Sequence, residues 1–144
     1  MLSEMGATVV ITARSEDKAK TAVQELRRRA GVGPVSYILV DFLSSASIRA
    51  GAAQLQEEHS RLDLLVLNAG VGRGDSAEVW MANHIGPFLF TSELTSILSR
   101  TAERFSGATK FTTRVIAVSS GAHKRSAIAE NPWDPPGIGF MKAL

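Results

Sequence analysis

Hydrophobic positions along the chain fall into two kinds of segment. Four short runs, Ala7–Ala13, Val35–Val40, Leu62–Leu67 and Arg114–Val118, are apolar nearly throughout and rich in β-branched residues. That is the pattern of strands covered on both faces of a parallel sheet. Between them, apolar residues recur at helical spacing. Ser15–Ala30 opens on Ser15 as a candidate N-cap, carries Ala19, Ala22, Val23 and Leu26 on one stripe, and meets Gly31, a residue suited to ending a helix. Lys18 stands where a capping box would place an acid or amide. Ser44–His59 repeats the design with Ile48, Ala52 and Leu55, and Ala77–Phe105 is the longest helical stretch. The order β-α-β-α-β-α-β predicts an α/β fold, with right-handed crossovers and helices on both faces of a parallel sheet. Gly121–Leu144 differs: it holds three of the five prolines, Pro132, Pro135 and Pro136, and reads as an irregular tail with Trp133 as its candidate anchor.

Composition narrows the classes. A chain of 144 residues and 15.4 kDa, 44% hydrophobic and 21% charged, suits one globular domain and is too short for two full ones. No apolar run approaches the ~20 residues needed to cross a bilayer. Met1–Arg14 has no basic segment followed by an apolar stretch and a cleavage site, so cytoplasm is the default expectation, with no membrane partner. Without cysteine there is no disulfide scaffold, thiolate metal site or cysteine nucleophile. His59, His84 and His123 are too scattered to suggest a metal site. The net charge of +2 and pI near 9.3 are too weak an excess to argue for nucleic acid, and suit an anionic small molecule as well. Arg27-Arg28-Arg29 reads as a solvated helix end that complements the helix dipole.

The chemistry concentrates where strands end. No Gly-x-Gly-x-x-Gly is present: the pairs Gly31/Gly33, Gly70/Gly72 and Gly137/Gly139 are completed by Ser36, Asp75 and Lys142. There is no Walker motif. Yet the runs end on Thr12-Ala13-Arg14, on Asp41, on Asn68-Ala69-Gly70 and on Ser119-Ser120, all small or polar. Ligands of open α/β sheets bind at those carboxyl ends. Any one of these groups also fits a turn; four in succession favour a site. Asn83 adds a further feature. Pro87, four residues on, has no N–H to return to the Asn83 carbonyl, so the helix should kink there and leave that carbonyl free.

These residues carry a resemblance. Gly6-Ala-Thr-Val-Val-Ile-Thr-Ala-Arg14, Asp41, Leu67-Asn-Ala-Gly70, Asn83-His-Ile-Gly-Pro-Phe88 and Arg114-Val-Ile-Ala-Val-Ser-Ser120 resemble, in order and spacing, the short-chain dehydrogenase/reductases, nearest in flavour to their retinol-dehydrogenase-like branch. The likeness runs to about residue 123. It implies a Rossmann-type parallel sheet with flanking helices, and a partial NADP-binding domain over residues 1–123 followed by the tail, 124–144. The implied activity is reduction of a small-molecule carbonyl, or oxidation of an alcohol, by hydride transfer with NADP(H). By resemblance, Arg14 takes the 2′-phosphate, which suits a guanidinium fork. Asp41 accepts from the adenine amino group, Asn68, Ala69 and Gly70 let the backbone pass close to the cofactor ribose, the Asn83 carbonyl holds a relay water, and Ser120, with Ser119 as second choice, polarises the substrate carbonyl. The long helix around Asn83 would serve dimerisation, or simply pack on the sheet. Leu67 replaces the second Asn that family members usually carry.

Two departures qualify the resemblance. The family's acid/base is the Tyr of Tyr-x-x-x-Lys after the serine, whereas the one tyrosine here, Tyr37, precedes it, and Lys142 has Ile138 four residues earlier. The chain is therefore expected to be inactive by itself. The Gly-rich loop and the first strand are also lacking, as is the C-terminal part, and that strand is central in the sheet order 3-2-1-4-5-6. The runs Ala7–Ala13 and Leu62–Leu67 would then flank an empty position. Either the two edges close together, another chain fills the gap, or the piece does not fold stably. The rival to an enzyme reading is a non-catalytic dimerisation or regulatory remnant that pairs with an intact reductase.

Overall fold

The computed structural model describes residues 2–28, 33–72, 74–104 and 113–120. The helix stop at Gly31 and the whole tail from residue 121 lie outside the described residues. Strands β1 (Val9–Ala13), β2 (Val35–Leu39), β3 (Leu64–Leu67) and β4 (Arg114–Ala117) alternate with helices α1 (Glu16–Arg28) and α2 (Ser45–Glu58) and with a long helical stretch before β4.

Local chemistry explains the boundaries. Helix α1 begins with Glu16 and Asp17 and ends with Arg27 and Arg28, each sign matched to the dipole end it faces. Glu16 lies 2.8 Å from Lys20, and its hydrogen bond and charge hold the Glu16 carboxyl below the usual carboxylate range. Helix α2 starts at Ser44, whose hydroxyl accepts from the Ser47 N–H at 3.3 Å.

The stretch expected as one helix over Ala77–Phe105 is in fact divided. Helix α3 (Ser76–Trp80), capped by the Asp75 carboxylate, runs into a π-helical turn (Met81–Ile85), then α4 (Gly86–Glu93) and α5 (Thr95–Arg104). The expected kink at Asn83 is a widened turn instead, in which the Gly86 N–H reaches back five residues to the Met81 carbonyl. One extra residue per turn lets Pro87 enter α4 at its first positions, where no N–H is needed.

Buried Ile38, Val40, Ile48, Ala52, Leu55, Leu65, Phe90, Leu94 and Ile97 form one core that joins β2, α2, β3, α4 and α5. Ile48, Ala52 and Leu55 are the face read from sequence. Phe42 meets Phe90 edge-on at 5.7 Å between ring centroids. Gly86 lies close against backbone, since a Cβ there would stand 2.6 Å from the Phe42 carbonyl oxygen. The buried Thr101 hydroxyl donates to the Ile97 carbonyl at 2.7 Å and accepts from the Leu62 N–H at 2.9 Å, which ties the entry of β3 to α5.

Strands β1 and β2 pair in parallel, from Val9 opposite Val35 to Ala13 opposite Leu39. Strands β3 and β4 pair likewise, from Leu64 opposite Arg114 to Leu67 opposite Ala117. The two pairs are separate two-stranded sheets, so β1 and β3 do not close onto each other. Burial also departs from expectation at one strand. All four residues of β4 are exposed, Val115 and Ile116 among them, because no described helix packs on it.

Candidate active site

Parallel pairing brings the strand ends named from sequence to common edges. Ala13 pairs with Leu39, so Arg14 and Asp41 both follow the carboxyl end of the first pair. The Val40 N–H continues that ladder by donating to the Ala13 carbonyl at 2.9 Å. Arg14 is exposed, and Asp41 is half-buried in a tight turn. There its Oδ1 accepts from the Leu43 N–H at 3.0 Å, while its own N–H donates to the Ser47 hydroxyl at 2.9 Å. These two bonds fix the turn.

The second pair ends on Asn68-Ala69-Gly70 and Ser119-Ser120, all exposed. The Val118 N–H donates to the Leu67 carbonyl at 3.0 Å and sets the serines beside the Asn68 segment. Asn83 then reaches the same loop. Its Nδ2 donates to the Val71 carbonyl at 2.9 Å and its Oδ1 accepts from the Val71 N–H at 2.7 Å. A side-chain amide is one of the few groups that can satisfy both backbone groups of one residue. Gly70 permits the clamp, since a Cβ there would stand 3.0 Å from Asn83 Oδ1. Asn83 therefore positions the loop through its side chain. The reading from Pro87 concerned only its carbonyl and missed this clamp; nothing in the local sequence marks Val71 as the partner.

The structure gathers Asn68, Ala69, Gly70, Asn83 and Ser120 around the second pair, and Arg14 and Asp41 at the end of the first. Tyr37 is elsewhere: in β2 its hydroxyl donates to Glu16 Oε1 of α1 at 3.4 Å. Among the described residues no group of three or more His, Asp or Glu could hold a metal ion, and no helix is long and apolar enough to cross a membrane.

A sequence model described as short chain dehydrogenase matches residues 1–132. The chain belongs to the short-chain dehydrogenase/reductase family. Dehydrogenase/reductase SDR family member 13 of Bos taurus is 34% identical over 148 residues, covering 99% of this chain and 37% of its own length. Retinol dehydrogenase 13 of Homo sapiens is 32% identical, over 85% of this chain and 36% of its own, in keeping with the retinol-dehydrogenase-like branch. The chain thus spans little more than a third of these relatives. Among solved structures, a Pseudomonas aeruginosa RhlG/NADP active-site complex superposes on 97% of this chain and 54% of its own, at TM-score 0.70 and 28% identity. An NADH-dependent reductase, A1-R′, shares the fold at TM-score 0.69 and 21% identity.

Proposed function

We propose that these residues are the adenosine-binding and loop-positioning side of an NADP(H)-dependent oxidoreductase site that reduces a small-molecule carbonyl or oxidises an alcohol. The observation that carries this reading is the pair at the end of the first sheet, an exposed guanidinium at Arg14 and a fixed carboxylate at Asp41. The donor set fits a dinucleotide. Arg14 offers a planar fork for a 2′-phosphate, Oδ2 of Asp41 accepts from an adenine amino group, and the side-chain-free backbone at Gly70 allows close approach of a ribose. When bound, the nicotinamide supplies the hydride. Asn83 holds the 68–71 loop in place, its own carbonyl orients a water for proton relay, and Ser120 donates a hydrogen bond to the substrate oxygen. Tyr37, the sole tyrosine, is turned toward α1, so residues 1–144 alone do not provide the proton donor that turnover needs.

The test is an NMR titration of the isotope-labelled chain with 2′,5′-ADP and with 5′-AMP, alongside a nicotinamide absorbance assay. We expect 2′,5′-ADP to shift the amides around Arg14 and Asp41 more strongly than 5′-AMP does, Arg14→Ala to abolish the difference, and turnover to stay at background. Equal responses to the two nucleotides, or shifts confined to other elements, would refute the NADP(H) assignment. Turnover by the chain alone would refute the inactivity.

A second reading has its own observation. Trp80, Ile85 and Phe88 are 48%, 42% and 70% exposed along the helical stretch around Asn83, with the His84 ring tilted against Trp80 at 4.7 Å between centroids. An apolar stripe of this kind suits pairing with a second copy of this helix, or with an intact reductase, as a non-catalytic partner.

A further inference from the structure

Strand β2 pairs with β1 on one side and has no strand on the other among the described residues. The ladder shows which groups lie on that outer edge. The Val9 N–H donates to the Pro34 carbonyl at 2.8 Å, and the Val40 N–H donates to the Ala13 carbonyl at 2.9 Å. In a parallel pair, residues bonded to the partner alternate with residues whose groups point the opposite way. Pro34, Ser36, Ile38 and Val40 therefore serve β1, and Val35, Tyr37 and Leu39 direct their backbone groups outward. Two contacts bound the open segment. At its start the Arg27 guanidinium donates to the Val35 carbonyl at 2.7 Å. At its end the Leu39 carbonyl lies against α2, where a Cβ on Gly51 would stand 3.2 Å from it. Between them the Tyr37 N–H and carbonyl and the Leu39 N–H have no partner among the described residues.

An open groove of about 290 Å³ follows this edge, walled by Lys20, Val23, Gln24 and Arg27 of α1 and by Ser36 and Tyr37 of β2. Tyr37 turns its hydroxyl to Glu16 of α1, so its neighbour Ser36 faces the other side of the strand. A groove lined by both therefore runs along the strand edge and not over one face of the sheet. Its volume is at the low end for cavities that enclose a small molecule, about 300–1,000 Å³. The lining carries two positive charges and no negative one, and Glu16 beyond it offsets part of Lys20.

We propose that this edge takes an extended acidic segment of another protein as an added strand, whose side chains facing α1 run acidic, apolar, acidic. The segment's backbone supplies the partners that Tyr37 and Leu39 lack, which is the chemistry of strand addition. Every second residue of a strand faces one side, so three such side chains span about 13 Å. Lys20 and Arg27 stand about 10 Å apart along α1, and their long side chains close the difference. The apolar side chain falls between them, at Val23. A second copy of this chain fits less well, because isologous pairing would bring its own Lys20 and Arg27 to the same groove. This inference does not depend on the nucleotide reading, which rests on Arg14 and Asp41.

The probe is an end-blocked peptide, Ser-Glu-Thr-Val-Thr-Glu-Ser, added to the full chain at about 1 mM, with amide hydrogen exchange followed by NMR. One control peptide has lysine in place of both glutamates. A second keeps the charges but is N-methylated at its three central residues, which removes ladder donors. We expect the acidic peptide to slow exchange at Tyr37 and Leu39 at least roughly threefold, with far smaller changes at Ser36 and Ile38, which β1 already holds, and both controls to leave all four unchanged. Unaltered exchange at Tyr37 and Leu39 would overturn the proposal, and so would equal slowing by either control. Protection of these two amides that rises with protein concentration in the absence of peptide would overturn it in favour of a second copy as the occupant.

Discussion

Gly86 tests the packing at the scale of one residue. In an exposed helix interior, replacing glycine by alanine stabilises by about 0.5–1 kcal/mol. Here the new Cβ would meet the Phe42 carbonyl oxygen at 2.6 Å and the Met81 carbonyl oxygen at 2.9 Å, and backbone cannot move aside as a flexible side chain would. Gly86→Ala should therefore lower stability by about 1–3 kcal/mol in thermal or urea unfolding; an increase would mean that α4 does not sit against the β2–α2 turn. The same scale marks the limit of sequence reading. Asp41, Asn68 and Ser120 could be named because they follow apolar runs, a local signal. The Asn83–Val71 clamp could not, since it depends on where a helix lands against a loop twelve residues earlier in the chain.

At the scale of elements, periodicity located each strand among the described residues and the α2 core face, because each depends on a run or stripe of near neighbours. It misread the stretch before β4 as one helix. Pro87 was visible, but whether a helix meets a proline with a kink or a widened turn depends on packing around Gly86, which is a tertiary contact. It also overstated the burial of β4, since an apolar strand is covered only if another element reaches it. The exposed stripe of Trp80, Ile85 and Phe88 leads to a measurement at this scale. If that face pairs with a second copy, sedimentation equilibrium should show a dimer, and Phe88→Asp should weaken it at least roughly tenfold, about 1.4 kcal/mol. A chain that is monomeric at all concentrations would remove self-pairing from the second reading.

Across the whole molecule, two parallel strand pairs of a dehydrogenase/reductase sheet are held on one core. The sequence order left open whether strands β1 and β3 meet, and the structure answers it: they are not paired. Arg14 and Asp41 follow the carboxyl end of one pair and Asn68 and Ser120 that of the other, with β1 and β3 unjoined between them. Residue-resolved amide hydrogen exchange on the chain by itself tests this most directly. The account predicts an alternation within single strands: Ile11, Ala13, Leu65 and Leu67 protected by their ladders, and Val10, Thr12, Leu64 and Val66 exchanging fast between them. Uniform protection along β1 and β3 would contradict it, because it would mean that both edges are already bonded.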